Sequence, residues 1–233
     1  MNIGLFGYGK MGKTIEQLAI ARGHQINFIV DKPTENIDFQ NADVAIDFSL
    51  PSAAVNNIKA TLNAQVPVIS GTTGWLDHYA EVIDHCQSLN GAFLYASNFS
   101  LGVNIFFELN RHLARLMSGQ DTYGVKVEEI HHTQKLDAPS GTAISLANQI
   151  IDESSYTSWT MGPPKTNELE ITAKRIEDVP GTHTISYNSS IDSIQISHEA
   201  HNRKGFALGA VVAAEWIIGK KGVFSMKDVL NIG

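Results

Sequence analysis

Through the first hundred residues, short apolar runs that stop at glycines or polar turns alternate with segments whose apolar positions recur at helical spacing. Residues 2–6 form such a run, ending at a glycine cluster. Residues 11–21 carry Met11, Ile15, Leu18, Ala19 and Ala21 at helical spacing, and Gly23 ends the pattern. Further strands are predicted at 26–30, 44–48, 66–70 and 92–96. Helices are predicted at 52–62, where Pro51 precedes and Ser52 is available as a cap, and at 75–89. Strands separated by helices mean βαβ units and a parallel sheet. Trp75 reads as a core residue.

The pattern changes beyond residue 100. A long helix is predicted at 103–117, a partly alternating strand at 125–131 and a helix at 141–151. Strands follow near 168–175, 183–188 and 193–200 with no helix between them, which predicts antiparallel or mixed pairing. Residues 206–218 read as a final apolar helix, and 154–166, with Gly162-Pro163-Pro164, as an exposed loop. The fold class is therefore α/β, with a parallel-sheet half and a mixed-sheet half.

Composition narrows the function. The chain has 233 residues and a net charge of −7, so no basic surplus exists to neutralise nucleic-acid phosphates. Apolar content of 43% argues for a packed globular core rather than disorder. The single Cys86 excludes an internal disulfide and a multi-cysteine metal cluster, and it fits a reducing compartment. The longest apolar run, 207–214, is too short to span a bilayer. The expectation is a cytoplasmic protein with no membrane and no nucleic-acid partner.

Three stretches carry chemistry. Gly7-Tyr8-Gly9-Lys10-Met11-Gly12 is a GxGxxG between a strand and a helix. Gly7 serves a tight turn, Gly9 lets backbone approach a pyrophosphate, and Gly12 allows close helix packing. Asp31, 19 positions on, can accept the hydroxyls of an adenosine ribose and favours NADH, while Lys32 beside it could admit the 2′-phosphate of NADPH. The lesser alternative is that Asp31-Lys32-Pro33 is only a solvated turn. The ends of the next three strands, Asp47-Phe48-Ser49, Gly71-Thr72-Thr73-Gly74 and Ala96-Ser97-Asn98-Phe99-Ser100, offer small and hydroxyl or amide residues where an open parallel sheet binds ligands. Together they read as the wall of a nicotinamide cleft.

The third stretch is Glu128-Glu129-Ile130-His131-His132-Thr133-Gln134-Lys135-Leu136-Asp137-Ala138-Pro139-Ser140-Gly141-Thr142-Ala143. Ser140, the Gly141 amide and Thr142 form an anion cradle at a helix N-terminus, and His131, His132 and Lys135 add positive charge and proton donors. The site suits a small dicarboxylate. A metal reading of the two histidines is weak, because adjacent residues on a strand point to opposite faces and no cysteine assists. His198, His201, Arg203 and Lys204 form a last cluster, either an anion or subunit contact or a solvated charged turn.

The run 129–143 closely resembles the signature of the 4-hydroxy-tetrahydrodipicolinate reductase (dihydrodipicolinate reductase) family of lysine and diaminopimelate biosynthesis. The glycine fingerprint, Gly71-Thr72-Thr73-Gly74, Ser97-Asn98-Phe99-Ser100-Leu101-Gly102-Val103-Asn104 and Arg203 with Phe206, Gly209 and Ala210 follow in family order. The resemblance implies a Rossmann-like dinucleotide-binding domain over 1–98 and 207–233, and a central α+β mixed-sheet domain over 99–206 for substrate binding and tetramerisation. It implies His131 and Lys135 as the catalytic pair, with Lys135 donating a proton. It implies His132, Lys135, Ser140, Gly141 and Thr142 as substrate contacts. Gly71, Thr73, Ser97 and Phe99 fall at cofactor-contact positions for NADH or NADPH, beside Phe48, Thr72 and Asn98 of the cleft wall. Stretch 174–183 is compressed relative to the family. A different dinucleotide-dependent dehydrogenase would share the glycine motif without run 129–143, and a non-catalytic nucleotide sensor is the other alternative.

Overall fold

A computed structural model describes residues 1–32, 37–202 and 204–232; Pro33 and Arg203 lie outside the described residues. The elements run β1 (Asn2–Phe6), α1 (Lys10–Ala21), β2 (Gln25–Val30), β3 (Val44–Asp47), α2 (Pro51–Asn63), β4 (Val68–Ser70), a 3-10 turn (Leu76–His78), α3 (Tyr79–Ser88), β5 (Ala92–Tyr95) and α4 (Leu101–Met117). Then come β6 (Gly124–His131), α5 (Gly141–Asp152), β7 (Ser158–Thr160), β8 (Glu168–Arg175), β9 (Gly181–Asn188), β10 (Ser193–Ala200), α6 (Lys204–Ile217), β11 (Gly222–Phe224) and α7 (Met226–Leu230). The chain forms two compact units, Met1–Asn104 with Lys204–Gly233, and Ile105–Arg203.

The first unit is built on a six-stranded sheet in the order β11-β5-β4-β3-β1-β2, parallel throughout. Its inner strands are apolar at consecutive positions because both faces are covered. Ile3, Leu5, Val44, Ile46, Ile69 and Leu94 face α1 and α6. Phe6, Ala45, Val68 and Phe93 face the opposite core with Ile58, Leu62 and Val82 of α2 and α3. The C-terminal α6 packs through small residues, among them Ala207, Ala210, Ala213 and Ala214. At Gly209 an added Cβ would overlap the Phe99 carbonyl. Trp75 is in the core as expected, its indole N–H donating to the Thr72 carbonyl at 2.7 Å.

The second unit is a five-stranded mixed sheet, β10-β9-β6-β8-β7, with β9 antiparallel to β6 and β10, and β8 parallel to β6 and β7. One face is apolar, with Val125, Val127, Leu169, Ile171 and Ile185 packed on Phe106 and Ala114 of α4 and Leu146 and Ile150 of α5. The other face is polar and carries the ion pairs Lys126–Glu170 at 2.7 Å and Lys174–Glu128 at 2.5 Å.

Several expectations need correction. Ser52 does not cap α2: the helix begins at Pro51, whose missing N–H is harmless in the first turn, and the N-cap is Leu50 with no side-chain bond. The strand predicted from residue 66 starts at Val68, since Pro67 has no N–H for the ladder. The loop predicted at 154–166 contains β7, which is extended by pairing with β8 rather than by any pattern of its own. The predicted helix at 75–89 opens as a 3-10 turn, and β11 and α7 were not anticipated.

Candidate active site

In the first unit, β1 ends at Phe6 and Gly7 turns with φ +85°, where an added Cβ would overlap the Phe48 carbonyl. Gly9 is the N-cap of α1, and a Cβ there would meet nothing within 4 Å. Gly12 lies against the Gly7 carbonyl, so the helix packs on its own entry turn. Lys10 and Met11 form the first turn of α1. The Tyr8 amide donates to Asp31 Oδ1 at 2.8 Å, which holds that carboxylate beside the glycine loop. A cavity of about 320 Å³ is lined by Gly7, Gly9, Asp31, Lys32, Phe48 and Ser52, among others. An open Gly9 backbone at a helix N-terminus, next to an acidic residue at the second strand's end, fits the pyrophosphate and ribose of a dinucleotide.

The loops after β3 and β4 are pinned by Asp47. Among the described residues no cation pairs with this fully buried carboxylate; it accepts from Ser49 Oγ (2.6 Å), Thr72 Oγ1 (2.7 Å), Ser70 Oγ (2.8 Å) and Asn57 Nδ2 (3.1 Å). Burial pushes its carboxyl up from the ordinary value, and these donors resist the rise. Thr72 is buried, and its hydroxyl donates to Asp47 and accepts from the Ser49 amide at 2.9 Å. Gly71 abuts the Phe48 ring, and Phe48 packs 5.6 Å from Phe99, which is itself buried. Thr73 and Ser97 are exposed at the ends of β4 and β5. Asn98 ties its loop together, accepting from the Ser100 amide and from Asn104 Nδ2, both at 2.9 Å.

In the second unit, the inward face of β6 changes chemistry along its length. Val125 and Val127 are core; Glu129 and His131, two and four residues on, occupy the same buried face. Register brings His183 of β9 opposite Glu129, and Arg175 of β8 opposite His131. Glu129 is fully buried. Its Oε1 accepts from the Ser140 amide at 3.1 Å and from the Arg175 guanidinium at 3.2 Å. Its Oε2 lies 3.1 Å from His131 Nδ1, an ion-pair contact without the alignment of a hydrogen bond, and 3.9 Å from His183 Nε2. Burial alone would raise the Glu129 carboxyl, but contact with His131 and with Ser140 outweighs it and holds the group at about 2. Burial, reinforced by the charge of His131, lowers His183 to about 4, so it is neutral near pH 7.

Ser140 caps α5, its Oγ accepting from the Ala143 amide at 3.2 Å and lying 3.2 Å from His183 Nε2. The hydroxyl expected at the substrate is thus engaged inside the protein and only 3% exposed, while Gly141 is exposed and Thr142 half-buried at the helix N-terminus. The Lys135 ammonium sits on Asp137, 2.8 and 2.7 Å from its two oxygens. His132 lines a cavity of about 360 Å³ with Thr133, Glu177, Val179 and His201. Of the last cluster, His198 packs on Phe106 at 5.9 Å, and Lys204 opens α6. The roomier hollow of this unit, about 690 Å³, lies at the opposite end of β6 against Val125 and Tyr187 and contains none of these groups.

Comparison with known proteins decides the family. "Dihydrodipicolinate reductase, N-terminus" matches residues 1–99 and "Dihydrodipicolinate reductase, C-terminus" matches 102–230. The chain belongs to the dihydrodipicolinate reductase family. A 4-hydroxy-tetrahydrodipicolinate reductase of Christiangramia forsetii is 56% identical over 99% of this chain and 98% of its own length. One from Methanosarcina acetivorans is 36% identical over 99% of this chain and 89% of its own. A dipicolinate-bound dihydrodipicolinate reductase from Paenisporosarcina shares the fold, with a TM-score of 0.77 over 97% of both chains at 20% identity.

Glu129, Arg175 and His183 gained no role from the sequence. Glu129 was detectable: counting by twos from Val125 puts it on the buried face, where a carboxylate demands partners. Arg175 and His183 were not, because their neighbours depend on strand register across 40 residues or more.

Proposed function

We propose that this chain reduces 4-hydroxy-tetrahydrodipicolinate, through loss of water to dihydrodipicolinate, to tetrahydrodipicolinate in lysine and diaminopimelate biosynthesis. The observation that carries this reading is the meeting of His131, the Lys135 loop and the exposed N-terminus of α5 around one buried carboxylate. Gly7, Gly9 and the N-terminus of α1 would hold the pyrophosphate of NADH or NADPH, which when bound would supply a hydride for the ring of the substrate. Electron density then moves towards the ring nitrogen, and the chain must provide a proton. In this reading Lys135 donates it, with His131 as the second member of the catalytic pair. The Gly141 amide and Thr142 hold one substrate carboxylate, and His132 and Lys135 balance the second charge. Asp137, which holds the Lys135 ammonium, is the group an incoming carboxylate must displace or share.

Asp31 beside the glycine loop favours NADH, since its carboxylate repels a 2′-phosphate and Lys32 only moderates this. The ligand atoms of Glu129, His131 and His183 lie within 4.8 Å of one another, a spacing a metal could use. A guanidinium on the same carboxylate opposes a cation there, so the reading assigns no metal. The working form is a homotetramer built through the mixed sheet, acting in the cytoplasm; among the described residues no helix is long and apolar enough to cross a membrane. Loss of NADH absorbance with substrate generated in situ tests the reaction. Oxidation at no more than the enzyme-free rate would exclude it.

A further inference from the structure

We infer that Glu129 and Arg175 are positioning residues: the buried carboxylate and the guanidinium on it hold His131, the Lys135 loop and the first turn of α5 in one arrangement. The inference rests on the reading of His131 and Lys135 as the catalytic pair. A fully buried carboxylate is costly to fold, and Val125 and Val127, two of the three other inward residues of β6, show that this face readily takes an aliphatic side chain. What Glu129 touches explains its presence. Oε1 takes the amide of Ser140, the cap of α5, and so sets where that helix starts. Oε2 faces His131 Nδ1 and orients the ring so that its other nitrogen lies towards Gly181. A Cβ at Gly181 would come 3.0 Å from that Nε2, so the glycine keeps the imidazole uncrowded.

Arg175 extends the same hold to the loop. Its Nε donates to the Lys135 carbonyl at 3.2 Å, and its terminal nitrogen donates to the Asp137 carbonyl at 2.6 Å and to Glu129 Oε1 at 3.2 Å. Among the described residues loop 132–139 has no strand partner, and a backbone bond inside it runs from the Lys135 amide to the His132 carbonyl at 3.1 Å. A guanidinium fork can grip two carbonyls and a carboxylate together; an ammonium cannot reproduce that geometry. The distance between Lys135 and the α5 cradle is thus set through Arg175 and Glu129, and a misplacement of about 1 Å at such a site can cost on the order of 10²-fold in rate.

The test uses the full-length enzyme with NADH and substrate generated in situ, comparing Glu129→Gln, Arg175→Met, Arg175→Lys, Lys135→Ala and the Arg175→Met/Lys135→Ala double variant. Arg175→Met and Glu129→Gln should lower kcat by roughly 10–100-fold. Arg175→Met should also raise the substrate KM severalfold, while the NADH KM stays within about twofold of native. Arg175→Lys should fall between native and Arg175→Met. The double variant should be little worse than Lys135→Ala alone, because the two act through one group. A merely structural Arg175 would instead lower Tm and the active fraction, leave both KM values unchanged, and make the double loss multiplicative; that pattern overturns the inference. If Arg175→Met does not fold, Arg175→Lys decides, and kcat within twofold of native overturns the inference. A near-native Lys135→Ala would overturn the catalytic reading and the inference together. An inactive Lys135→Ala beside native Arg175→Lys and Glu129→Gln would overturn the inference alone.

Discussion

The Lys135 ammonium is held by an exposed carboxylate two residues away, and its backbone by Arg175, so its position is set while its charge stays accessible. Lys135→Ala should lower kcat by about 10²–10⁴-fold, the range for loss of a general acid, and raise the substrate KM. Lys135→Arg should restore binding more than rate, because a guanidinium keeps its proton. Steady-state kinetics beside thermal melts checks both; a folded Lys135→Ala with native kcat would end the assignment. His183 makes a different prediction. Lowered from 6.5 to about 4, it stays neutral in the fold while the unfolded chain takes up its proton. Stability should therefore fall as pH drops from 6.5 to 4, by roughly 3 kcal/mol at about 1.4 kcal/mol per pH unit. Glu129, held at about 2 against an ordinary 4.5, adds stability that is complete above pH 4.5 and is lost as pH falls towards 2. Urea unfolding of the native chain and of His183→Gln at pH 7.5 and 4.5 should show the smaller drop in the variant.

At the scale of elements, β1, the glycine turn and α1 make a dinucleotide site only because neighbouring segments leave room. Gly7 sits on the Phe48 carbonyl after β3, and Gly209 of α6 sits on the Phe99 carbonyl after β5. Gly209→Ala would drive a methyl into backbone that α6 packs against, at a cost of about 1–3 kcal/mol for overpacking. We expect a lower Tm together with weaker NADH binding, measured by calorimetry and fluorescence titration. Unchanged values would mean that α6 slides without disturbing the loop after β5. Titrating both nucleotides also tests Asp31: NADH should bind more tightly, and Asp31→Ser should narrow the gap by removing the repulsion of the 2′-phosphate.

At the scale of the whole molecule, the mixed sheet leaves one face polar and its outer strand, β10, largely open, with Ile191 and Ile194 exposed near it. A homotetramer through this sheet would cover both. Light scattering should give four times the 25.4 kDa chain mass, and a fully active monomer would refute the assembly. The last thirty residues return to the first unit. The long apolar α6 finds its partner in the face of the parallel sheet that α1 alone does not cover.

The amino-acid sequence by itself determined the two sheet types, the glycine turn with Asp31, and the run from Glu129 to Ala143, because each is written in neighbouring residues or in local periodicity. It could not show β7 or β11, three residues each, which are strands only because β8 and β5 offer them a ladder. Nor could it apportion roles within a motif. In a string of hydroxyls it could not mark Thr72 as the one that bonds Asp47, or Ser140 as the one that caps α5 and faces His183. Glu129 was visible as an inward carboxylate, but its partners come from β8, β9 and α5. Hydrogen bonds act over about 3 Å in space and carry no mark of separation along the chain. Only the register of β6 against β8 and β9 brought Arg175 within 3.2 Å and His183 within 3.9 Å of the Glu129 carboxylate.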